Sequence, residues 1–220
     1  MNTVLITGHC GFIGYHLVNA FRRLGGVKVI GYDLKNGQDI RERDRLPEAD
    51  WCFHLAALTD ARSGNISAMM ETNVMGTLNV LEQFDENVVF ASSSAVNYPT
   101  TPYAISKITC EHLCKLYGAR MVRLCNIYGP GGHGVFQKFE AADVMEIAGM
   151  GDQVRTYAPV EDALAALIEA PSSPKGSCTI LHGEDLTVMG IVNNHFPGKP
   201  YKRVPRALND ILDGRQICPQ

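Results

Sequence analysis

No C-x-x-C pair, no long tract of like charge and no long apolar run occurs in these 220 residues. Each absence excludes a class of function. The seven cysteines (Cys10, Cys52, Cys110, Cys114, Cys125, Cys178 and Cys218) form an odd set whose nearest pair, Cys110 and Cys114, lies inside an expected helix. They read as reduced thiols, not as a disulfide framework or a zinc ribbon. His9 and His133 lie in loops without a partner at metal-ligand spacing, and no metal is expected. Twenty basic residues against 23 acidic ones give a formal net charge of -3, and the densest charge, RERDR at 41–45, alternates in sign. A nucleic-acid partner is therefore disfavoured. No stretch approaches the ~18 apolar residues of a spanning helix, and the opening MNTVLITGHCGFIG lacks the basic head of a signal peptide. These readings lead to a soluble, cytoplasmic protein without a membrane partner.

Apolar residues make up 45% of the chain and charged ones 20%, the composition of an ordinary globule with a sizeable core. The length suits one domain with a modest appendage. Over the first 130 residues, short apolar runs alternate with amphipathic stretches, the pattern of an α/β sheet. Strands are expected at Thr3–Thr7, 27–32, 51–56, 88–92 and Arg120–Leu124, and helices at Phe12–Leu24, 68–84 and Pro102–Tyr117. Thr101 and Pro102 supply an N-cap and a first-turn proline, and Gly118 supplies a stop. Beyond the Gly/Pro-rich loop at 129–134, helices are expected at 137–148 and 160–170, followed by a strand, a short helix and loops.

Gly8, Gly11 and Gly14 stand at the first strand-to-helix junction, in TGHCGFIG. A turn there approaches a ligand closely, and the helix that Phe12, Ile13 and Gly14 open aims its free N–H groups outward, where a pyrophosphate fits. Asp33 closes the second strand 19 residues past Gly14, where a carboxylate can accept both ribose hydroxyls of an adenosine and would repel a 2′-phosphate. NAD is favoured over NADP, with Lys35 nearby keeping the question open. Asp39 and Ile40 either cover the adenine, Asp39 taking its amino group, or are a plain surface Asp and a core Ile. In PYAISK, Tyr103 and Lys107 share one helix face. An ammonium beside a phenol favours the phenolate and makes the tyrosine a usable general base. The preceding strand ends in Ser92, Ser93 and Ser94, at the carboxyl edge where open α/β sheets bind ligands. His54, at the end of the third strand, reads as a structural histidine.

The ordered set of segments resembles the extended short-chain dehydrogenases/reductases that epimerise, dehydrate or reduce nucleotide sugars. TGHCGFIG is similar to that family's glycine turn, DIR (39–41) to its adenine-contacting element and HLAA (54–57) to its third cofactor segment. ETNVMGTLNVLE (71–82) resembles the central helix, FASSSAV the catalytic-serine strand, PYAISK the Tyr/Lys motif, VRLCNIYGP (122–130) a loop reaching the sugar nucleotide, and GDQVRTYAPVED (151–162) the segment that supplies an arginine to its diphosphate. The resemblance implies a Rossmann-type doubly wound parallel sheet over residues 1–130 and a small, reduced substrate lobe over 131–220, interleaved with the sheet. It implies NAD as cofactor and a nucleotide sugar as substrate, with Tyr103 as acid/base, Lys107 on the nicotinamide ribose and Ser93 as the catalytic hydroxyl. Leu55, Ala56, Ala57, Asn73 and Ser92 would neighbour the cofactor, and Ser94, Asn126 and Arg155 the substrate. A homodimer through helices 68–84 and 102–117 follows from the same resemblance, with Ile105, Ile108, His112, Leu113 and Leu116 as this chain's share.

The chain also departs from the family pattern. Only five residues separate Asp33 from Asp39, so an edge strand of the sheet is expected to be missing, and only nine separate Ser93 from Tyr103, so the pocket is expected to be more open there. Dehydratases place an Asp-Glu pair directly after the catalytic hydroxyl, and reductases with coupled 3,5-epimerisation place a cysteine at the position of Ala95. This chain has Ser94-Ala95. A 4-epimerase working through a 4-keto sugar is the favoured reading, with a ketosugar reductase as the close alternative. From a different class, a non-catalytic NAD-sensing regulator would keep the glycine turn, but it usually loses the tyrosine.

Overall fold

The computed structural model describes residues 1–42, 46–59 and 65–205; Cys218 and residues 43–45 of the RERDR segment lie outside them. Val4, Leu5 and Ile6 are completely buried in β1 (Thr3–Thr7), as expected of a strand covered on both faces. The glycine turn leads into α1 (Phe12–Leu24), which buries Leu17, Val18, Ala20 and Phe21 and stops where Gly25 takes a φ of 70°. β2 (Lys28–Tyr32), a 3-10 turn at Leu34–Asn36 and β3 (Trp51–His54) follow. Next come α2 (Ile66–Met69), a π-helical stretch at Met70–Met75, α3 (Gly76–Phe84), β4 (Val88–Ser93), α4 (Pro102–Tyr117) and β5 (Arg120–Leu124). The rest comprises β6 (Asn126–Tyr128), α5 (Val135–Ala141), β7 (Met145–Ala148), β8 (Val154–Pro159), α6 (Val160–Glu169), β9 (Cys178–Ile180), β10 (Glu184–Thr187), α7 (Val188–His195) and β11 (Tyr201–Val204).

The described chain forms two compact units, one of Met1–Leu124 with Val160–Leu181, the other of Cys125–Pro159 with residues 182–205. The first carries a six-stranded sheet in the order β2-β1-β3-β4-β5-β9, parallel at every pairing. β2 is its edge among the described strands, and β3, the next strand in the chain, lies on the other side of β1. α6 packs against α1, and α3 against α4. Val80, Leu81 and Phe84 of α3 join Cys110 and Cys114 of α4 over Leu5, Phe90 and Met121 of the strands.

The division expected at residue 130 is corrected by this arrangement. The chain leaves the first unit after Leu124 and comes back for α6 and β9, because α6 has Val160, Ala163, Leu164 and Leu167 to bury and β9 extends the sheet beside β5 through pairs such as Met121 with Cys178. Three elements differ from expectation by more than one residue. The third strand ends at His54, not at residue 56, since Leu55 onward turns across the strand ends. The helix expected over 68–84 starts at Ile66, with Asn65 Oδ1 capping Ala68 N, and widens into a π-helical turn at Met70–Met75. There the Asn73 carbonyl receives the Thr77 hydroxyl at 2.5 Å and the Cys110 thiol at 3.2 Å, side-chain donors that disturb the regular ladder. The helix expected over 137–148 is α5 followed by β7, where Met145 and Ile147 are buried and Glu146 between them is exposed, the two-residue period of a strand.

The second unit contains the sheet β10-β8-β6 and the parallel pair β11-β7. Its core is aromatic: Tyr128 stacks on Phe136 with ring centroids 4.2 Å apart, and Phe139, Met145, Ile147, Tyr157, Leu186 and Ile191 complete it. Among the described residues no helix is long and apolar enough to cross a membrane.

Candidate active site

The glycines of the first turn are there for space. Gly8 has a φ of 72°, and a Cβ on it would lie 2.7 Å from Ala56 N. A Cβ on Gly14 would lie 2.2 Å from the Gly8 carbonyl oxygen, so helix and turn touch backbone to backbone. Gly11 N-caps α1 without a side-chain bond, and no acidic residue stands in the helix's first turn. The opening N–H groups at Phe12 and Ile13 are thus left to an external acceptor. Asp33 clamps this turn, its Oδ2 accepting Cys10 N at 2.9 Å and its Oδ1 accepting Lys35 N at 2.9 Å. Each carboxylate oxygen keeps a further lone pair.

The segment Leu55, Ala56 and Ala57 runs beside that turn and is fixed from both sides. Ala56 N donates to Thr7 Oγ1 at 3.2 Å, and Asn73 brackets Leu58, its Oδ1 accepting Leu58 N at 2.7 Å and its Nδ2 donating to Leu58 O at 3.0 Å. The same Asn73 Nδ2 donates to Ser106 Oγ at 2.9 Å, and Ser106 in turn donates to the Tyr103 carbonyl at 2.8 Å. Asn73 is 1% exposed, so it acts on the site by holding the Leu58 loop against the first turns of α4. His54, completely buried, lies between Thr7 Oγ1 (2.7 Å) and Thr77 Oγ1 (2.9 Å). Burial, with Lys107 adding repulsion, pushes its pKa down to about 3, so it is a neutral structural histidine.

The Ser/Tyr/Lys set gathers at the end of β4 and the start of α4. Ser93 is half-buried, and its Oγ accepts Ala95 N at 3.2 Å, which caps the 3-10 turn at Ser94–Asn97. Thr101 Oγ1 accepts Ala104 N and fixes the first turn of α4. Lys107, 3% exposed, donates from Nζ to the Ala91 carbonyl at 2.8 Å, lies 4.5 Å from the Phe90 ring centroid and 5.8 Å from that of Tyr103. A buried ammonium held by one carbonyl is an oriented charge, and the half-buried Tyr103 is beside it.

Other expected residues are engaged elsewhere. Ser92 is buried and gives its proton to Glu111 Oε1 at 2.6 Å. Asp39 is held by Arg41, whose Nε and Nη2 reach both carboxylate oxygens, and this pairing keeps the Asp39 carboxyl below its usual range. Ile40 is a core residue wedged against Gly76, where a Cβ would lie 2.6 Å from its Cδ1. Ser94 is half-buried in the 3-10 turn. In the second unit, Asn126 is exposed on β6, with Nδ2 donating to Thr156 O at 3.0 Å, and Arg155 is half-buried on β8, with Nη1 donating to Val154 O.

Sequence reasoning missed Glu111 and Arg123. Arg123 forks onto Glu111, Nε to Oε1 at 2.8 Å and Nη2 to Oε2 at 2.7 Å, tying β5 to α4 directly behind the serine strand. Burial works to raise the Glu111 pKa, but the hydrogen bonds from Arg123 and Ser92 prevail and hold it below the usual carboxylate range. The signal was present: a glutamate next to Cys110 on the face that α4 buries.

Known proteins resemble this chain in sequence and fold. The model of the NAD dependent epimerase/dehydratase family matches residues 4–177. UDP-N-acetyl-alpha-D-glucosaminuronate decarboxylase of Bacillus cytotoxicus is 30% identical over 224 aligned positions, covering 76% of this chain and 70% of that protein. dTDP-4-dehydro-6-deoxy-D-allose reductase of Streptomyces bikiniensis is 26% identical, covering 79% and 74%. The solved structure of MoeE5 in complex with UDP-glucuronic acid and NAD is similar with a TM-score of 0.82 at 26% identity, covering 95% of this chain and 87% of the other. With the glycine turn, the parallel sheet and the match over residues 4–177 agreeing, the chain belongs to the NAD-dependent epimerase/dehydratase family.

Proposed function

We propose that this protein is an NAD-dependent epimerase of a nucleoside-diphosphate sugar, working through a 4-keto sugar. The observation that carries the reading is the buried Lys107 ammonium fixed on the Ala91 carbonyl beside the Tyr103 ring, at the carboxyl edge of the sheet. The residues fit NAD. The Gly8 and Gly14 cradle leaves no room for a side chain, α1 presents uncapped N–H groups to a pyrophosphate, and Asp33 is oriented with lone pairs left for ribose hydroxyls. When bound, NAD supplies the acceptor and donor of hydride.

The chain's own residues move the proton. Tyr103 takes it from the sugar hydroxyl and returns it after the keto sugar has turned over, while Lys107 stabilises the phenolate electrostatically and Ser93 orients the sugar oxygen by a hydrogen bond. Leu55, Ala56 and Ala57 line the cofactor, held in place by Asn73. Arg155 offers its guanidinium to the diphosphate, and Ser94 and Asn126 offer polar groups to the substrate. The Ser94-Ala95 dipeptide gives no second acid or base next to Ser93, which favours epimerisation over loss of water.

The test is incubation with NAD and a panel of UDP-, GDP-, CDP- and dTDP-sugars, with products followed by mass and NMR. A product of unchanged mass and inverted C4 is expected. Loss of water or of carbon dioxide, or net formation of one NADH per sugar oxidised, would replace the epimerase by another reaction of the family. Tight NAD binding with no turnover on any sugar would favour the sensing regulator.

A further inference from the structure

His9 and Cys10 occupy the middle of the glycine turn, and nothing in the proposed reaction uses either side chain. Folding nevertheless brings them to Asp33. One ligand atom from each of the imidazole, the thiol and the carboxylate lie within 4.8 Å of one another, and all three residues are half-buried. His9 Nε2 and Cys10 Sγ are 3.4 Å apart. In a tetrahedral zinc site with Zn–N of about 2.05 Å and Zn–S of about 2.3 Å, the N···S edge is about 3.5 Å. The observed edge already has that length.

Two features prepare the cluster for a metal. The His9 ring lies flat against Gly31, where a Cβ would approach its Cγ, Cδ2 and Nε2 to 2.5–2.7 Å, so a glycine in β2 makes the space the imidazole occupies. Asn36 Nδ2 donates to Nε2 at 3.3 Å. That bond puts the lone pair on Nε2, facing the thiol, and the proton on Nδ1, which is buried without a hydrogen-bond partner. The carboxylate is equally fixed, by the N–H groups of Cys10 and Lys35. A mixed N, S, O set of three suits a borderline-soft divalent ion such as Zn²⁺ or Co²⁺ and not Mg²⁺ or Ca²⁺.

We propose that His9, Cys10 and Asp33 form a Zn²⁺ site whose ligand Asp33 is also the carboxylate for the adenosine ribose, so that metal and NAD exclude one another. The mutual exclusion rests on the NAD reading given above; the metal site does not. On binding, a bond forms between the metal and Sγ, the thiol proton leaves to solvent, Asn36 is displaced from Nε2 and water fills the fourth position. The metal changes no oxidation state.

The experiment uses the full chain without NAD, freed of metal by chelator, and titrates Co²⁺ and then Zn²⁺. One Co²⁺ per chain is expected, with a thiolate-to-cobalt charge-transfer band and tetrahedral visible bands that Zn²⁺ bleaches. Cys10→Ala and His9→Ala should each weaken binding about tenfold or more, and Cys10→Ala should also remove the thiolate band. Absence of the band in the unsubstituted protein, or its persistence in Cys10→Ala, would overturn the site. NAD binding is measured separately by calorimetry, with and without Zn²⁺. Zn²⁺ at saturation should weaken NAD about tenfold or more. If NAD binds equally well with the metal in place, the exclusion is wrong although the metal site stands. If NAD fails to bind metal-free protein, the epimerase reading falls, and the cobalt spectrum still decides the metal site.

Discussion

His54 donates from Nε2 to the Thr77 hydroxyl oxygen, 2.9 Å away, and this one bond directs a chain of others. Because the Thr77 proton is given to the Asn73 carbonyl at 2.5 Å, its oxygen is free to accept from the imidazole. His54 Nδ1 must then accept the Thr7 proton at 2.7 Å, and Thr7 Oγ1 accepts Ala56 N. The chain runs from the backbone beside the glycine turn through two strand ends to the π-helical stretch that positions Asn73. It needs a neutral imidazole.

The acid response of the fold follows from that requirement. His54 has a folded pKa of about 3 against 6.5 for the free side chain. As pH falls below 6.5 the unfolded chain takes up a proton that the folded one refuses, so stability declines, and the decline from this residue ends near pH 3. Its slope is about 1.4 kcal/mol per pH unit within that window. Urea unfolding at pH 7.5, 6.0 and 5.0 should show the decline, and His54→Gln should be less stable at pH 7.5 but lose less on acidification. Equal pH slopes in the two proteins would remove His54 as the cause.

Glu111 is the second buried group whose charge matters. With its folded pKa held low by Arg123 and Ser92, its contribution is present above the ordinary carboxylate range and is lost as pH falls through the folded value. Glu111→Gln leaves the Arg123 guanidinium without its fork and should cost about 1–3 kcal/mol at pH 7. Arg123→Met with Glu111→Leu, an apolar pair, should recover most of that loss. If the double variant in chemical denaturation is as unstable as the single one, the damage is packing and not an unpaired charge.

Much of this was legible in the residues, and where it was not the reason is physical. Spacing alone placed β1, α1, α4 and β5 at their observed bounds, because buried parallel strands and capped amphipathic helices carry their own signals. Met145 and Ile147 misled because an apolar alternation following a short helix continues its pattern for a turn. Interleaving with the sheet was expected, but not that α6 and β9 are the elements that return, since nothing local records which strand β9 pairs with. At the candidate site, the motif predicted that Tyr103 and Lys107 lie side by side, as they do, but not the carbonyl of Ala91 that holds Lys107, nor Asn73 as the bracket of Leu58. Those partners are chosen by tertiary geometry. The gathering of His9, Cys10 and Asp33 was missed for the same reason: β2 lies between them in sequence and beside them in space.

Under the proposed mechanism, Tyr103→Phe removes only the phenolic oxygen from a half-buried ring at the start of α4. Turnover should fall by about 10²–10⁴. NAD affinity should change less than about threefold, since the proposed mechanism assigns that oxygen to the sugar proton. Lys107→Met should lower both turnover and NAD affinity, because Lys107 is assigned to the phenolate and the nicotinamide ribose together. Steady-state kinetics with calorimetry on each variant separates the two roles, and retained turnover in Tyr103→Phe would take Tyr103 out of the mechanism.

We propose a homodimer through α2, the π-helical stretch, α3 and α4, and these helices leave apolar side chains uncovered in the single chain. Leu116 is 82% exposed, Ile66 55%, Met75 47% and Ile105 45%. Leu113 on the same helix is partly buried against the core, and His112 is exposed. A monomer would keep these groups in water at a cost of roughly 25 cal/mol per Å² of apolar surface, which pairing across a two-fold axis removes. Light scattering at micromolar concentration should give a dimer, and Leu116→Glu with Ile105→Glu should give a monomer of unchanged circular dichroism. A monomeric unsubstituted protein would leave these side chains for another partner and refute the two-fold pairing.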